Sequence, residues 1–150
     1  LTEVRFVECT FVGCNFSNAK LDRTSFQQAS FQDCKLIGLH FEHCHDFGLS
    51  FDFVACNLAH SSFYGLKIKE TVFTNCNLEE VDFTECDLSG ASFTESNLHG
   101  AIFERSNLEK ANFQTARDFS IDPNKNRIRK AVFSKAGLVG LTRSFGIVVK

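Results

Sequence analysis

Residues 76–113 read CNLEE VDFTE CDLSG ASFTE SNLHG AIFER SNLEK ANF, and this stretch decides the fold. The third residue of every group of five is Leu or Phe, and the first is small or, once, Val. The second residue is polar in every group but one, and it is mostly Asn or Asp. A period of five matches neither an α-helix nor a plain strand. It predicts short extended pieces joined by turns, where Asn and Asp are favoured.

The large apolar position recurs beyond this stretch. It takes every fifth residue from Phe53 to Phe113. In the amino-terminal part the same position holds Phe6, Phe11, Phe16, Leu21, Phe26, Phe31, Leu36 and Phe41. Residues two apart in an extended segment point to the same side, so the small and the large residue of each group both face inward.

Sorting the large residues by every fourth group separates Phe from Leu. Phe53, Phe73 and Phe93 fall twenty residues apart, and Leu58 and Leu78 begin a column of Leu with the same spacing. This alternation predicts a square coil of twenty residues. Each of its four sides would bond to the coils above and below, which makes the protein an all-β solenoid.

The chain is identified as a member of the pentapeptide-repeat family on groups such as CNLEE, CDLSG, SNLHG and SNLEK, over roughly residues 2–116. The resemblance implies a right-handed quadrilateral β-helix, whereas periodicity predicts the four sides but not the hand. We expect this β-helix over residues 1–133. A short C-terminal capping helix and tail are expected over residues 134–150.

The seven cysteines are expected to be free. Their number is odd, and their spacing matches no zinc or CxxC pattern. They fall in the small inward position of the repeat, with Cys44 assigned loosely. Free thiols favour a reducing compartment, so we expect the cytoplasm. The chain holds no Met, so Leu1 is not expected to be the natural start, and the residues that follow it do not have the charged-then-apolar pattern of a secretory signal.

The repeat slips by two residues between Phe41 and Phe53. Three extra apolar residues, Phe47, Leu49 and Phe51, stand in this stretch. The slip predicts a bulge or small loop near residues 42–52 that kinks the stack. Such an irregularity is either a tolerated insertion or a recognition loop, since loops carry binding residues more often than scaffolds do.

The same stretch carries possible metal ligands. His43, Cys44 and His45 are consecutive, and His40 and Asp46 flank them. Zinc needs converging ligands, but the repeat geometry sends Cys44 inward and its two neighbours outward. We therefore expect no metal and no cofactor.

After Ala116 the consensus fades while the register continues. Asp118, Pro123, Ile128 and Phe133 remain five apart, and Phe133 falls on the column of Phe113. This spacing predicts one degraded last coil. Pro cannot donate to a β ladder, which suits an outer edge.

A capping helix is predicted after this coil, with Ser134 as N-cap and Gly146 at its end. Its apolar residues would share one face, and the tail that follows is apolar too. These residues would cover the last coil or contact a second copy of the chain, and the sequence leaves both open. The candidates for the cap or dimer contact are Leu138, Leu141, Phe145, Ile147 and Val148.

Charge divides along the chain. Residues 1–116 carry sixteen acidic and eight basic side chains, a net charge of −8, and residues 117–150 carry two and eight, a net charge of +6. Lys110 is expected one coil below Lys130. The candidate partner-binding residues are Glu79, Glu80, Asp82, Glu85, Asp87, Arg127, Arg129 and Lys130.

No catalytic motif is present, and a straight wall offers no deep pocket, so neither an enzyme nor a small-molecule substrate is expected. No apolar run approaches the ~20 residues of a membrane span, and no membrane partner is expected. The favoured function is a protein-interaction scaffold. Direct nucleic-acid binding is disfavoured because the acidic wall repels phosphates.

A second reading rests on a weaker resemblance to the quinolone-resistance (Qnr-type) group. That group consists of dimeric rods that resemble duplex DNA and bind type II topoisomerases. The likeness lies in the coil, the C-terminal helix and the ending at residues 145–149. It implies DNA gyrase or topoisomerase IV as partner and a homodimer through the C-terminus. The chain departs from the group in having no long inserted loops and an acidity that reverses at one end.

Overall fold

Each inward side chain stacks on the one in the next coil, and this stacking builds the molecule. The computed structural model describes residues 1–150. In it the ring centroids of Phe53 and Phe73 lie 5.3 Å apart, and those of Phe93 and Phe113 lie 4.7 Å apart, with nearly parallel planes. The predicted coil of twenty residues is confirmed. We number the four sides after the inward residues of one coil: Phe73 lies on side one, Leu78 on side two, Phe83 on side three and Leu88 on side four.

The extended pieces are short, and every pairing between coils is parallel. The strands β1 and β3 form one small sheet, while β2, β4, β5 and β6 form a second one on side one. The other sides pair through isolated parallel bridges such as Asp82 with Ile102. The strands are β1 (Arg5–Val7), β2 (Thr10–Val12), β3 (Ser25–Gln27), β4 (Ala29–Gln32), β5 (Phe51–Val54) and β6 (Phe73–Thr74).

The turns between sides use left-handed backbone conformations and side-chain caps. Glu80 and Lys110 stand at such corners with φ of 53° and 60°. Before a corner, the outward Asn or Asp accepts a hydrogen bond from the N–H two residues on. Asn77 Oδ1 accepts from Glu79 at 3.2 Å, for example. The turn role predicted for Asn and Asp is therefore confirmed.

The small inward position holds donors that tie one coil to the previous one. The Cys86 thiol donates to the carbonyl of Phe63 at 2.8 Å, and the Ser106 hydroxyl donates to that of Phe83 at 2.7 Å. All seven cysteines are free; five are buried, and Cys9 and Cys14 are half-buried. Cys and Ser thus serve the same purpose in this position.

The two-residue slip is absorbed in one coil. β4 pairs with β5 in a register that places Ala29 beside Phe51, an offset of twenty-two residues instead of twenty. The displaced segment between His45 and Ser50 bulges outward, and Phe47 at its crest is 75 % exposed. Phe51 occupies the small inward position, and its ring lies 5.4 Å from that of Phe41. A large ring there fills the space that the bulge leaves empty.

The predicted kink is absent from side one. Phe31 and Phe53 lie on either side of the insertion, yet their rings stack at 5.3 Å with an angle of 14°. The pairs further along the column have the same spacing, for example Phe73 with Phe93. The column is continuous because the two extra residues bulge outward from the coil and do not interrupt the parallel pairing of β4 with β5.

The last coil follows the predicted register on two sides only. Phe133 stacks on Phe113 at 5.3 Å and 4°, and Ile128 is partly buried against the core. Asp118, however, is exposed, and Pro123 lies in a turn. Phe119 is buried in place of Asp118 because the chain leaves the wall after Arg117.

The C-terminal cap consists of two 3-10 helices, Ala136–Leu141 and Arg143–Phe145; a third, Phe41–His43, precedes the bulge. The predicted cap is confirmed in part, since Ser134 Oγ accepts the N–H of Gly137 at 3.0 Å and Gly146 ends the segment at φ 65°. The close packing of Gly140 fixes the cap, because an added Cβ would lie 2.4 Å from the Phe119 ring. None of these helices is long and apolar enough to cross a membrane.

We expect the inward stack to carry the stability of the rod. Phe73→Ala removes a fully buried ring and should lower the free energy of unfolding by about 3–5 kcal/mol. Phe47→Ala is the matched control, because this ring is mostly exposed, and its effect should stay within about 0.5 kcal/mol. Urea denaturation followed by circular dichroism measures both. Equal losses would contradict this account.

Candidate functional site

Three of the predicted acidic residues form one edge of the rod, between sides two and three. Glu79, Glu80 and Asp82 follow one another around this corner, and we call them the acidic edge. Glu80 Oε2 lies 3.1 Å from Nδ1 of His60, which is the one ion-pair contact of the group. The acidic edge therefore keeps most of its negative charge.

Two exposed apolar side chains border the acidic edge. Ile102 is directly paired with Asp82 in the next coil and is 47 % exposed. Tyr64 lies one coil below on side three and is 45 % exposed. Sequence reasoning missed both as site residues. The signal was present for Ile102, which is one of three apolar residues in the polar position of the repeat, together with Val72 and Val132.

The other two acidic candidates are neutralised and lie around the next corner. Arg105 donates to Glu85 Oε1 from Nε at 3.1 Å and from a terminal nitrogen at 3.0 Å. Lys69 Nζ lies 3.5 Å from Asp87 Oδ2. Partial burial alone would raise the pKa of Asp87, but the hydrogen bonds from Ser89 and the charge of Lys69 lower it overall. The structure therefore does not join these two residues to the acidic edge.

The basic candidates lie on side four and its corner with side one, diagonally across from the acidic edge. Arg127 is paired with Glu109 at 3.1 Å. Arg129 and Lys130 are exposed and make no ion pair. The backbone N–H of Lys110 donates to the carbonyl of Arg129, so Lys110 lies one coil below Lys130, as predicted.

The structure divides the residues predicted for the cap or dimer contact. Leu141 is half-buried and packs against the core. The others face solvent, with exposed fractions of 50 % for Leu138, 51 % for Phe145, 57 % for Ile147 and 78 % for Val148. We call residues 143–150 the C-terminal tail. It leaves most of its apolar surface uncovered.

The residues around the bulge do not converge on a metal. His40 and His43 stack their rings at 5.4 Å on the outside, whereas Cys44 is buried. No three side chains of His, Cys, Asp or Glu lie together as ligands. Glu42 bonds His40 through Oε1, and its Oε2 is buried without a partner. Sequence reasoning missed Glu42, because its inward turn depends on the short 3-10 helix.

One surface groove is polar throughout. It has a volume of about 450 Å³ and follows the corner between sides three and four, and Cys86 is the one hydrophobic residue among the twelve that line it. Small-molecule sites are lined mainly by apolar and aromatic side chains. This groove does not have that character, and most of its charged residues are held in ion pairs, as Arg105 is with Glu85 and Arg127 is with Glu109.

Burial makes poor nucleophiles of three inward thiols, those of Cys44, Cys76 and Cys86, whereas the hydrogen bond with Cys76 lowers the pKa of the buried Cys56 to about 7. Burial raises the pKa of Cys44 and of Cys86 to about 12, from an ordinary value of 9.0, because the thiolate would lose its hydration. The pKa of Cys76 is raised by its neighbour Cys56 and by burial. A nucleophilic cysteine needs an accessible, electropositive setting, which these positions lack.

Comparison with known proteins agrees with the repeat. Family models described as "Pentapeptide repeat region" and "Pentapeptide repeats (8 copies)" match residues 40–113 and 1–45. No curated protein gives a significant match. Among solved structures, trypsin-treated QnrB1, a plasmid-mediated fluoroquinolone resistance protein, is 17% identical, with a TM-score of 0.50 over 99% of this chain and 91% of that one. Rfr23, a pentapeptide-repeat protein from the cyanobacterium Cyanothece 51142, is 15% identical, with a TM-score of 0.38 over 89% and 86%.

We expect thiol accessibility to separate the cysteines into two sets. At pH 8 a thiol reagent such as DTNB should label Cys9 and Cys14 in the native protein and the other five only after unfolding. Rapid labelling of a third thiol would contradict the buried stack, and a Cys9→Ser/Cys14→Ser variant, which should not react in the native state, is the control.

Because the folded pKa of Cys44 and Cys86 lies above the unfolded value, their contribution to stability is complete below about pH 9 and declines toward pH 12.

Proposed function

This chain belongs to the pentapeptide-repeat family, with its right-handed quadrilateral β-helix, and we propose that it is a non-catalytic scaffold that binds another protein. The observation that carries the proposal is the acidic edge beside the exposed Ile102 and Tyr64. Protein-binding surfaces combine exposed apolar and aromatic side chains with a polar, solvent-accessible rim. The regular wall around them supplies a rigid support.

The remaining features fit this function. The free thiols suit a reducing compartment, so the cytoplasm is the proposed location. The exposed apolar residues of the C-terminal tail support self-association, and a homodimer through the C-terminus is part of the proposal. No small-molecule substrate or cofactor is required, and the partner is a protein.

The scaffold proposal is tested by partner capture from cytoplasmic extract. Glu79→Lys/Glu80→Lys reverses the acidic edge, and Lys is already accepted at the equivalent corner position 110. Glu8→Lys/Glu95→Lys makes the same charge change at two other exposed corners and serves as control. A protein captured by the wild type and the control but lost from the edge variant supports the proposal. Equal capture by all three proteins would contradict the assignment of this surface.

A second candidate function is binding of a type II topoisomerase, DNA gyrase or topoisomerase IV, in the manner of a DNA mimic. The acidic edge and the fold shared with QnrB1, a fluoroquinolone resistance protein, favour it. Against it, Glu85 and Asp87 are neutralised by cations, so the carboxylates do not form a long phosphate-like row.

The topoisomerase function predicts a measurable effect on gyrase. A titration of purified protein into a supercoiling assay, with and without ciprofloxacin, should show inhibition of the enzyme or protection from the drug. Glu79→Lys/Glu80→Lys should weaken the effect about tenfold or more, because close charge pairs across an interface are lost, whereas Glu8→Lys/Glu95→Lys should not. No effect at any concentration would reject gyrase and leave the scaffold proposal standing.

A further inference from the structure

The C-terminal tail and the acidic edge complement each other in charge and in polarity. The tail carries Arg143 and Lys150, neither of which makes an ion pair, together with its exposed apolar residues. The acidic edge carries three carboxylates with Ile102 and Tyr64 beside them. Each surface is amphipathic, and the signs of their charges are opposite.

Both surfaces lie on the same side of the rod. Asn77, Asn97 and Arg117 form one outward column on side two, and Glu79 stands beside the first of them. Arg143 lines a surface cavity together with Arg117 and therefore lies at the top of this column. Coils are spaced by about 4.8 Å, so the tail begins roughly 10 Å above the acidic edge.

We propose that the C-terminal tail of one chain docks on the acidic edge of a second copy, and that the second copy returns the same contact. This rests on the self-association proposed above and names its receiving surface. A protein partner that binds the acidic edge then competes with the tail of the second copy. Two rods side by side in antiparallel orientation bring each tail opposite the other chain's edge. A two-fold axis between them closes the assembly, because both contacts are then satisfied at once.

Charge separates this arrangement from a tail-to-tail dimer. Residues 117–150 carry a net charge of +6, so contact between two such ends sets like charges against each other. Docking on the acidic edge sets the cations of the tail against Glu79, Glu80 and Asp82 instead. Salt screens both interactions, but with opposite outcomes: it weakens an attraction and relieves a repulsion.

Sedimentation velocity over a range of protein concentrations tests the proposal on the whole chain. Raising NaCl from about 50 mM to about 500 mM should increase the dimer dissociation constant about tenfold or more, since several exposed ion pairs are screened together. A dimer that tightens with salt would overturn the proposed docking while leaving self-association intact. A monomer at every concentration would overturn both.

Charge-reversed variants identify the two surfaces. An edge variant, Glu79→Lys/Glu80→Lys, and a tail variant, Arg143→Glu/Lys150→Glu, should each lose self-association, because tail and edge then carry the same sign. Mixed in equal amounts, they should form a heterodimer, since both contacts are again between opposite charges. All four residues are on the surface, and circular dichroism should show unchanged folds.

Two controls distinguish the docking from a general effect of charge. Arg129→Glu/Lys130→Glu matches the tail variant at the same end of the rod but on the diagonally opposite corner, and Glu8→Lys/Glu95→Lys matches the edge variant. Both should keep the wild-type dissociation constant within about threefold. If the edge variant dimerises as the wild type does, the acidic edge is not the receiving surface.

Discussion

The parallel bonding of each coil to the next is the constraint on which this structure depends. Because every extended piece pairs in register with the piece one coil away, the side chains that face inward are forced into columns. Residues that stack well on a copy of their own kind suit such a column. Phe stacks well in this way, as the pair Phe73 and Phe93 shows. The eighteen Phe residues of the chain are largely explained by this requirement.

The same constraint leaves the outside of the rod free, and function can therefore occupy single positions there. Asn57, Asn77 and Asn97 form a ladder whose amides bond one another, with no further consequence for the core. Replacing an outward residue that caps no turn changes the surface without disturbing the coils. The acidic edge and the exposed Ile102 are such local changes on an otherwise repetitive wall, so binding would depend on departures from the repeat rather than on the repeat itself.

Inward positions were predictable from the sequence because period five fixes them locally, residue by residue. The role of Phe51 was not, since it depends on where a displaced segment leaves space in three dimensions. The register predicted Asp118 in the inward position, but Phe119 is the buried residue. The sequence pattern could not show this, because the cap residues that pack on Phe119 lie far along the chain. The neutralisation of Glu85 could not be predicted either, because its partner Arg105 lies twenty residues further along the chain. Ion pairs between neighbouring coils determine which surface charges remain unneutralised, and the repeat pattern does not show which residues form these pairs.

The bulge before β5 has a consequence for how such chains can change. A coil that holds twenty-two residues joins its neighbours as well as a coil of twenty, provided that a bulky ring plugs the inside. Length can therefore vary within one side of a coil without shifting the coils that follow. Protruding elements of new shape can arise at such positions through a single insertion. The rod would remain as rigid as before and would gain a protruding segment whose shape does not follow from the repeat.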